Sequence, residues 1–361
     1  MKTVNSPDVI IAGGGIIGVS IALELRERGV QVLVLDRAEP GQEASSAAAG
    51  MLAAFDPETP AALCPLAQES ARIFPDYVRK LESLSGMQVD LRSQGTIALF
   101  DGSSVPAAPA VGTYHKLSAD ELRRIEPAVA IQGYSAFLVE ESSVDPVLLM
   151  RAALKAAFAM GIDVRGGTEV TAIRAHGGRI EVTAGQGRLS AAKAINCRGA
   201  WSGAPVRPRK GQMLAVRPQD TALEHVVHAP GIYVVPRSSG RLVIGATVED
   251  VGFDKTVEPE IIRDLHRAAV ELVPGLASAE VLASWAGLRP GTPDDLPALG
   301  ETETPGVFTA SGHYRNGILL APITARIMAN LCMGKATGFD ISAFSPLRFA
   351  ATSANSSRNS V

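Results

Sequence analysis

The chain has 361 residues, 46% hydrophobic and 20% charged, with 34 Lys and Arg against 37 Asp and Glu and a formal net charge of −3. At roughly 150 residues per domain this length suggests two to three domains, and so even a balance gives no broad electrostatic footprint for nucleic acid or an anionic membrane. Three cysteines (Cys64, Cys197, Cys332) make no C-x-x-C pair, which argues against a disulfide framework or a thiolate zinc site and suggests a reducing, cytoplasmic compartment. The first seven residues carry one Lys and no apolar core, so no secretory signal is expected. The most apolar late stretch, 318–333, is broken by Pro322 and Arg326 and is too short to span a bilayer. Glycine is in excess, at 35 residues.

Residues 9–12 predict a short buried strand that runs into Gly13-Gly14-Gly15-Ile16-Ile17-Gly18. Helix-like text follows, with Ser20, Ala22 and Leu25 placed for packing and Glu24, Arg26, Glu27 and Arg28 for water, until Gly29 caps it. A second strand, 30–35, ends at Asp36. Strand, glycine turn, helix, strand and acid within about thirty residues are the setting that a dinucleotide fingerprint requires. Gly13 permits the tight turn, Gly15 lets backbone approach a pyrophosphate, and Gly18 brings helix and strand together. Ile16 and Ile17 present amides at a helix N-terminus, which favours phosphate. Asp36, with Arg37 beside it, is placed to accept from ribose hydroxyls. Then comes Ala44-Ser-Ser-Ala-Ala-Ala-Gly-Met-Leu-Ala53. Its small side chains allow backbone to lie against a planar ring or a phosphate, and Ser45 and Ser46 are candidate donors to phosphate oxygens.

Further along, 66–84 has helical periodicity with a bend expected near Pro75, and 95–100 reads as a strand. Ser118 and Glu121 form a capping box for a short helix that Pro127 ends, and Asp145-Pro146 opens a helix reaching Gly161. Strands are expected over 168–174, 179–183 and 192–197, the last returning to the nucleotide-binding sheet. The β-rich text of 214–216, 233–235 and 241–246 has a hairpin signal at Ser238-Ser-Gly240, and 261–272 is a helix stopped by Pro274-Gly275. There is no internal repeat, and the Ser- and Asn-rich tail 350–361 predicts disorder. No metalloprotease, nucleophile-elbow or Walker-type motif occurs and the six His are scattered, so the hard chemistry is assigned to a cofactor. Arg289, read in a turn of Gly287-Leu-Arg-Pro-Gly-Thr292, has the planar fork that suits a substrate carboxylate; on spacing alone the simpler reading is an ion pair with a nearby acid.

Seven segments together resemble the D-amino-acid-oxidase superfamily, most closely glycine oxidases of the thiamine pathway (the ThiO type). They are 12–36, 45–52, Gly199-Ala-Trp201, Pro208-Arg-Lys-Gly-Gln212, Tyr233-Val-Val-Pro-Arg237, Trp285 to Thr292, and Gly312-His-Tyr-Arg-Asn-Gly-Ile-Leu-Leu-Ala-Pro322. The likeness runs from about Val9 to Phe349. It implies an α/β fold, α+β overall, in which a discontinuous Rossmann-like FAD-binding domain (1–86, 144–205, 287–349) holds an inserted β-rich substrate domain (87–143, 206–286). It implies a carboxylate-binding Arg289, an active-site Tyr233, and an Arg315 that touches substrate and flavin together. It also implies FAD contacts from Ala44, Ala49, Gly50, Met51, Val170, Gly199, His313, Tyr314, Asn316, Gly317, Ile318 and Leu319, with a helix entered at about Gly317. No Cys lies in 285–320, so non-covalent FAD is expected. The implied reaction is oxidation of glycine or another small amino acid to the 2-oxo acid, ammonia and peroxide, with oxygen as acceptor. Relatives acting on D-amino acids, sarcosine or proline are the alternative, and homo-oligomerisation is compatible with the sequence. Two departures stand out: Cys197-Arg198 replaces the small pair usual before Gly-Ala-Trp, and Gly231 replaces a bulkier residue.

Overall fold

The structure, a computed structural model, describes residues 6–102, 114–130 and 133–349. The tail expected to be disordered lies outside the described residues. Strand Val9–Ala12 sits inside a six-stranded sheet ordered Ala298–Glu301, Val307–Ser311, Lys193–Asn196, Val9–Ala12, Val32–Leu35, Asp163–Arg165. Every pairing is parallel except the antiparallel edge pair formed by the two strands nearest the C-terminus. A parallel sheet is covered on both faces, and period-two alternation shows how. Val9 and Ile11 point into a core made with helices Ile16–Glu27, Cys64–Ser85, Pro146–Ala159 and Ala321–Cys332. Ile10 and Ala12 point the other way, onto an antiparallel sheet of Val170–His176, Arg179–Ala184 and Gly187–Ala191. The third of these strands had no sequence signal. The expected return strand is present, with Val9 opposite Lys193. Val9–Ala12 is therefore flanked by Val32–Leu35 and Lys193–Asn196, and the strand order reverses there, which opens a crevice at the carboxyl ends of the strands.

The local signals explain the helix boundaries. Asp145 Oδ1 accepts from the amides of Val147 (2.9 Å) and Leu148 (3.2 Å). The Ser118–Glu121 capping box is formed, and Gly86 closes Cys64–Ser85 in a left-handed conformation. Pro75 is accommodated inside that helix, which continues through it.

The second large element is an eight-stranded sheet ordered Glu280–Gly291, Arg207–Arg217, Leu242–Gly245, Ile232–Pro236, Val226–Ala229, Thr96–Phe100, Ser135–Val139, Tyr114–Leu117. Leu214, Val234 and Ile244 face a core with helices Ala119–Ile125 and Pro259–Leu272. Their neighbours Met213, Tyr233, Val235 and Val243 face the opposite side, toward Ala49 and Met51. That second face, laid against the mouth of the parallel sheet, forms the wall of a cavity.

One expectation is corrected here. Arg289 is not in a turn: it lies within the twelve-residue strand Glu280–Gly291, opposite Arg209. Gly287, Pro290 and Gly291 look like turn formers, but this strand is at the sheet edge, where a proline without an N–H is tolerated. The boundary expected at 286/287 thus falls inside a strand.

Candidate active site

A single cavity of about 650 Å³ runs from the glycine turn to the face of the large sheet, within the range of small-molecule and cofactor sites. At its first end the backbone is held too close for side chains. Gly13 has φ +112°, and a Cβ there would sit 2.2 Å from the Cys197 carbonyl oxygen; one on Gly18 would sit 2.0 Å from the Gly13 carbonyl oxygen. Gly15 is the N-cap of Ile16–Glu27 and supplies no side-chain cap; the Ile16 amide is taken by Ser45 Oγ, which leaves the amides after it to face an anion. Gly13, Gly15, Ile16 and Ile17 line the cavity, whereas Gly18 packs behind it. Asp36 is fixed by two amides, Gly14 N to Oδ2 at 2.7 Å and Ala38 N to Oδ1 at 2.9 Å, and also lines the cavity. Arg37 pairs with Glu43 at 2.7 Å and lies over the Trp201 ring, 3.6 Å from its centroid. Across from them, the Val170 carbonyl accepts from Arg198 Nη1 at 3.0 Å. The unusual Arg198 thus ties the antiparallel sheet to the loop before Gly199, and both Arg198 and Gly199 face the cavity.

In the middle stretch Ala44, Ser45, Ala49, Gly50 and Met51 are cavity-lining. Ser45 Oγ accepts from the Ile16 amide at 2.9 Å, linking this run to the helix start. Ser46 is not in the cavity: its hydroxyl donates to the Gly41 carbonyl at 2.6 Å, so its donor is used locally rather than offered to phosphate. The segment Tyr314, Asn316, Gly317 and Ile318 closes the same region, with Tyr314 held at φ +47°, sparsely populated for a residue with a Cβ. His313 also lines the cavity but is buried; its Nε2 meets Thr324 Oγ1 at 3.1 Å, and burial pushes its pKa down to about 3, so it stays neutral. Leu319 packs into the helical core, where its carbonyl accepts from Ser70, outside the cavity. The α-helix begins at Ala321 rather than near Gly317, because Tyr314–Asn316 form a 3₁₀ turn first.

At the far end stand the three residues expected to meet substrate. Tyr233 and Arg289 share the wall made by the large sheet. Burial raises the Tyr233 pKa, with the Arg289 charge beside it pulling the other way. Arg289 Nη1 donates to the Thr247 carbonyl at 3.0 Å, and among the described residues it forms no ion pair. Its fork rests against Gly211, where a Cβ would lie 2.3 Å from Nη1. Arg315, by contrast, is engaged by Glu58 and sits 5.4 Å from the Tyr314 ring centroid.

Motif reading missed part of this wall. His228 lies directly across from Tyr233 in the hairpin that turns at Pro230-Gly231. Glu141 accepts from the Phe55 amide at 3.1 Å, and Tyr114 donates to the Phe55 carbonyl at 2.9 Å. All three line the cavity. The hairpin signal at Gly231 could have located His228; Tyr114, on strand Tyr114–Leu117, and Glu141, in the connection after Ser135–Val139, come from distant parts of the sequence and carry no local sign. Among the described residues no group of His, Cys, Asp and Glu is arranged to hold a metal ion, and no helix is long and apolar enough to cross a membrane.

Comparisons with known proteins identify the family and the fold. Residues 8–331 match the family profile DAO, FAD dependent oxidoreductase. The chain is 34% identical over 344 residues to a glycine oxidase of Bacillus licheniformis, covering 91% of this chain and 93% of the relative. It is 36% identical to a bifunctional ThiO/ThiG protein of Synechocystis, covering 96% of this chain but 55% of that longer protein. The crystal structure of glycine oxidase from Geobacillus kaustophilus superposes with a TM-score of 0.88 at 34% identity, covering 94% of this chain and 98% of that one. A helix start whose N-cap glycine supplies no side-chain cap, a fixed acid at Asp36 and a long cavity with a small-residue floor suit FAD, and the chain belongs to the DAO family as an FAD-dependent amino-acid oxidoreductase.

Proposed function

We propose that this enzyme oxidises glycine or another small α-amino acid with oxygen and water, giving the 2-oxo acid, ammonia and hydrogen peroxide, and that it serves synthesis of the thiamine thiazole. The observation that carries the reading is Arg289: a guanidinium with no acidic partner, in the same cavity as the glycine turn and next to Tyr233. A half-buried guanidinium facing a cavity without an acidic partner is poised to take an anion from a ligand, and its fork fits a carboxylate through two parallel hydrogen bonds. The substrate carboxylate pairs with Arg289, and Tyr233, kept protonated by burial, covers and orients the substrate. FAD, when bound, supplies the two-electron acceptor. Asp36, the Ile16–Ile17 helix start and Val170 hold its dinucleotide part; Ala44, Ser45, Ala49–Met51, Gly199 and His313–Ile318 border the rest. The FAD domain is read as 1–86, 144–205 and the part of 287–349 that follows strand Glu280–Gly291, with the large sheet as substrate domain. The soluble, cytoplasmic setting and oxygen as acceptor belong to the same reading. The glycine oxidase and ThiO/ThiG relatives support the substrate class and pathway.

A second reading, a larger substrate such as sarcosine, D-alanine or proline, is favoured by one observation. Gly231 lines the cavity near Tyr233, and a Cβ added there meets nothing within 4 Å, leaving room beside the substrate. Peroxide release measured over glycine, sarcosine, D-alanine and D-proline decides between them. No peroxide from any of the four, in protein that carries its flavin, overturns both.

A further inference from the structure

Behind Arg289 lies a polar cluster with no place in the reaction outlined above. Lys210 is fully buried on strand Arg207–Arg217, with Nζ 3.3 Å from Glu249, 3.5 Å from Glu258 and 3.6 Å from Asp254. Burial opposes its charge, but the three carboxylates prevail and raise its pKa. Gln212, two residues on and also fully buried, donates through Nε2 to both Glu249 oxygens (3.1 and 3.2 Å) and accepts the Glu258 amide at 2.7 Å. Its own backbone amide donates to Thr247 Oγ1 at 2.8 Å, and that hydroxyl donates to Glu249. Lys210 and Glu249 also exchange two backbone hydrogen bonds, each 2.9 Å. Every one of these contacts fixes the segment 247–258, and the first residue of that segment offers its carbonyl to Arg289 at 3.0 Å.

Burying the Lys210 ammonium is expensive, and Asp254 and Glu258, each about half exposed, repay it weakly, so the cluster is better understood through what it holds in place. Here it holds the acceptor that aims Arg289, which among the described residues has no carboxylate partner. We propose that Lys210, Gln212, Glu249 and Thr247 form a positioning relay that sets the orientation of Arg289, and through it the affinity for the substrate carboxylate. This rests on the carboxylate-binding reading of Arg289. It also gives the Pro208-Arg-Lys-Gly-Gln212 segment a task for three successive residues: Lys210 and Gln212 fix the turn, and Gly211 leaves room for the fork.

The test uses the FAD-loaded enzyme and acetate, a carboxylate without an amine, with the dissociation constant measured by calorimetry beside kcat and KM for the amino acid. Thr247→Val keeps the carbonyl but removes the hydroxyl; it should weaken acetate binding about tenfold, as loss of a well-aimed charge-assisted hydrogen bond does, and the loss should fall on KM rather than on kcat. Thr247→Ser should restore binding to within twofold. Gln212→Leu should behave as Thr247→Val, a second route to the same readout that leaves the buried Lys210 in place. Arg289→Met serves as the reference. If it binds acetate like the wild type, the carboxylate reading of Arg289 fails and the relay with it. If it abolishes binding while Thr247→Val and Gln212→Leu stay within twofold of wild type, the relay alone is overturned. A fall in kcat and thermal stability at unchanged acetate affinity overturns it as well, since that marks a cluster with only a structural role.

Discussion

Gly211→Ala isolates the geometry of Arg289 from the stability of the fold. An alanine Cβ at this position would lie 2.3 Å from Nη1, 2.5 Å from Nη2 and 2.6 Å from Cζ of Arg289. Non-bonded heavy atoms rest at about 3.5 Å, so the guanidinium must retreat by roughly 1 Å. The obstacle is the far end of a flexible side chain, and Gly211 is not in a left-handed conformation, so the backbone can keep its place in strand Arg207–Arg217. Thermal stability should then change by only a few degrees. Substrate capture should suffer far more. A displacement of about 1 Å in a binding group can cost on the order of 100-fold, and losing one charge-assisted hydrogen bond costs roughly 1.5–3 kcal/mol, or about 10- to 100-fold. We expect KM for the amino acid to rise by that factor, with flavin content unchanged. Oxygen uptake against substrate concentration, flavin absorbance and a thermal melt measure the three quantities on one preparation. A KM within twofold of wild type in flavin-replete protein would refute the assignment of Arg289.

Three further perturbations probe other parts of the cavity. Asp36→Ala removes the acceptor for the Gly14 and Ala38 amides as well as the acid facing the cavity, so FAD affinity, followed by recovery of flavin fluorescence on dilution, should weaken about 10- to 100-fold; equal retention of flavin would show that Asp36 only braces the turn. Glu58→Gln releases Arg315 from its ion pair. Because that pair is exposed, the melting temperature should not move, while KM should fall severalfold as Arg315 becomes free to meet the substrate; a KM that rises assigns Glu58 itself to binding. Glu141 is pushed up to about 7, chiefly by burial, with the Phe55 amide and Thr96 hydroxyl opposing. The folded protein therefore holds a proton that the unfolded chain releases near 4.5, and stability declines as pH rises between those values, by roughly 3 kcal/mol at 1.4 kcal/mol per tenfold. Glu141→Gln should melt above the wild type at pH 8 and lose that advantage at pH 5; parallel melting curves across this range would remove Glu141 from the account.

The parts of the fold readable in advance are those fixed by neighbours in the chain. The run 9–12 alternates between two cores, the glycines after it turn under a helix, and Asp145 and Ser118 cap helices through atoms two or three residues away. Each is a short-range constraint with a residue type that satisfies it. The misplaced features fail for the converse reason. Gly287, Pro290 and Gly291 have the composition of a turn, and only the pairing with Arg207–Gly211, some eighty residues earlier, reveals a strand at a sheet edge. The helix expected near Gly317 starts at Ala321, where Pro322 in the first turn was the better signal. Ser46 has the same chemistry as Ser45, and only the approach of the Gly41 carbonyl separates them.

Lys210 extends this reasoning to function. A lysine between an arginine and a glycine reads as solvent-facing, since charged side chains are seldom fully buried unless paired. Its partners lie 39 to 48 residues further on, at Glu249, Asp254 and Glu258. A motif can therefore name the group that touches a ligand, because that group must be of one chemical type. It cannot name what aims the group, because aiming is met by any set of contacts that closes in space. His228 opposite Tyr233, Glu141 against Phe55 and the Lys210 cluster behind Arg289 are all of the second kind. Even Lys210 and Gln212, which do lie in the 208–212 motif, have roles that show only through partners outside it, and in this enzyme such residues lie on the strands and turns that meet the far end of the cavity.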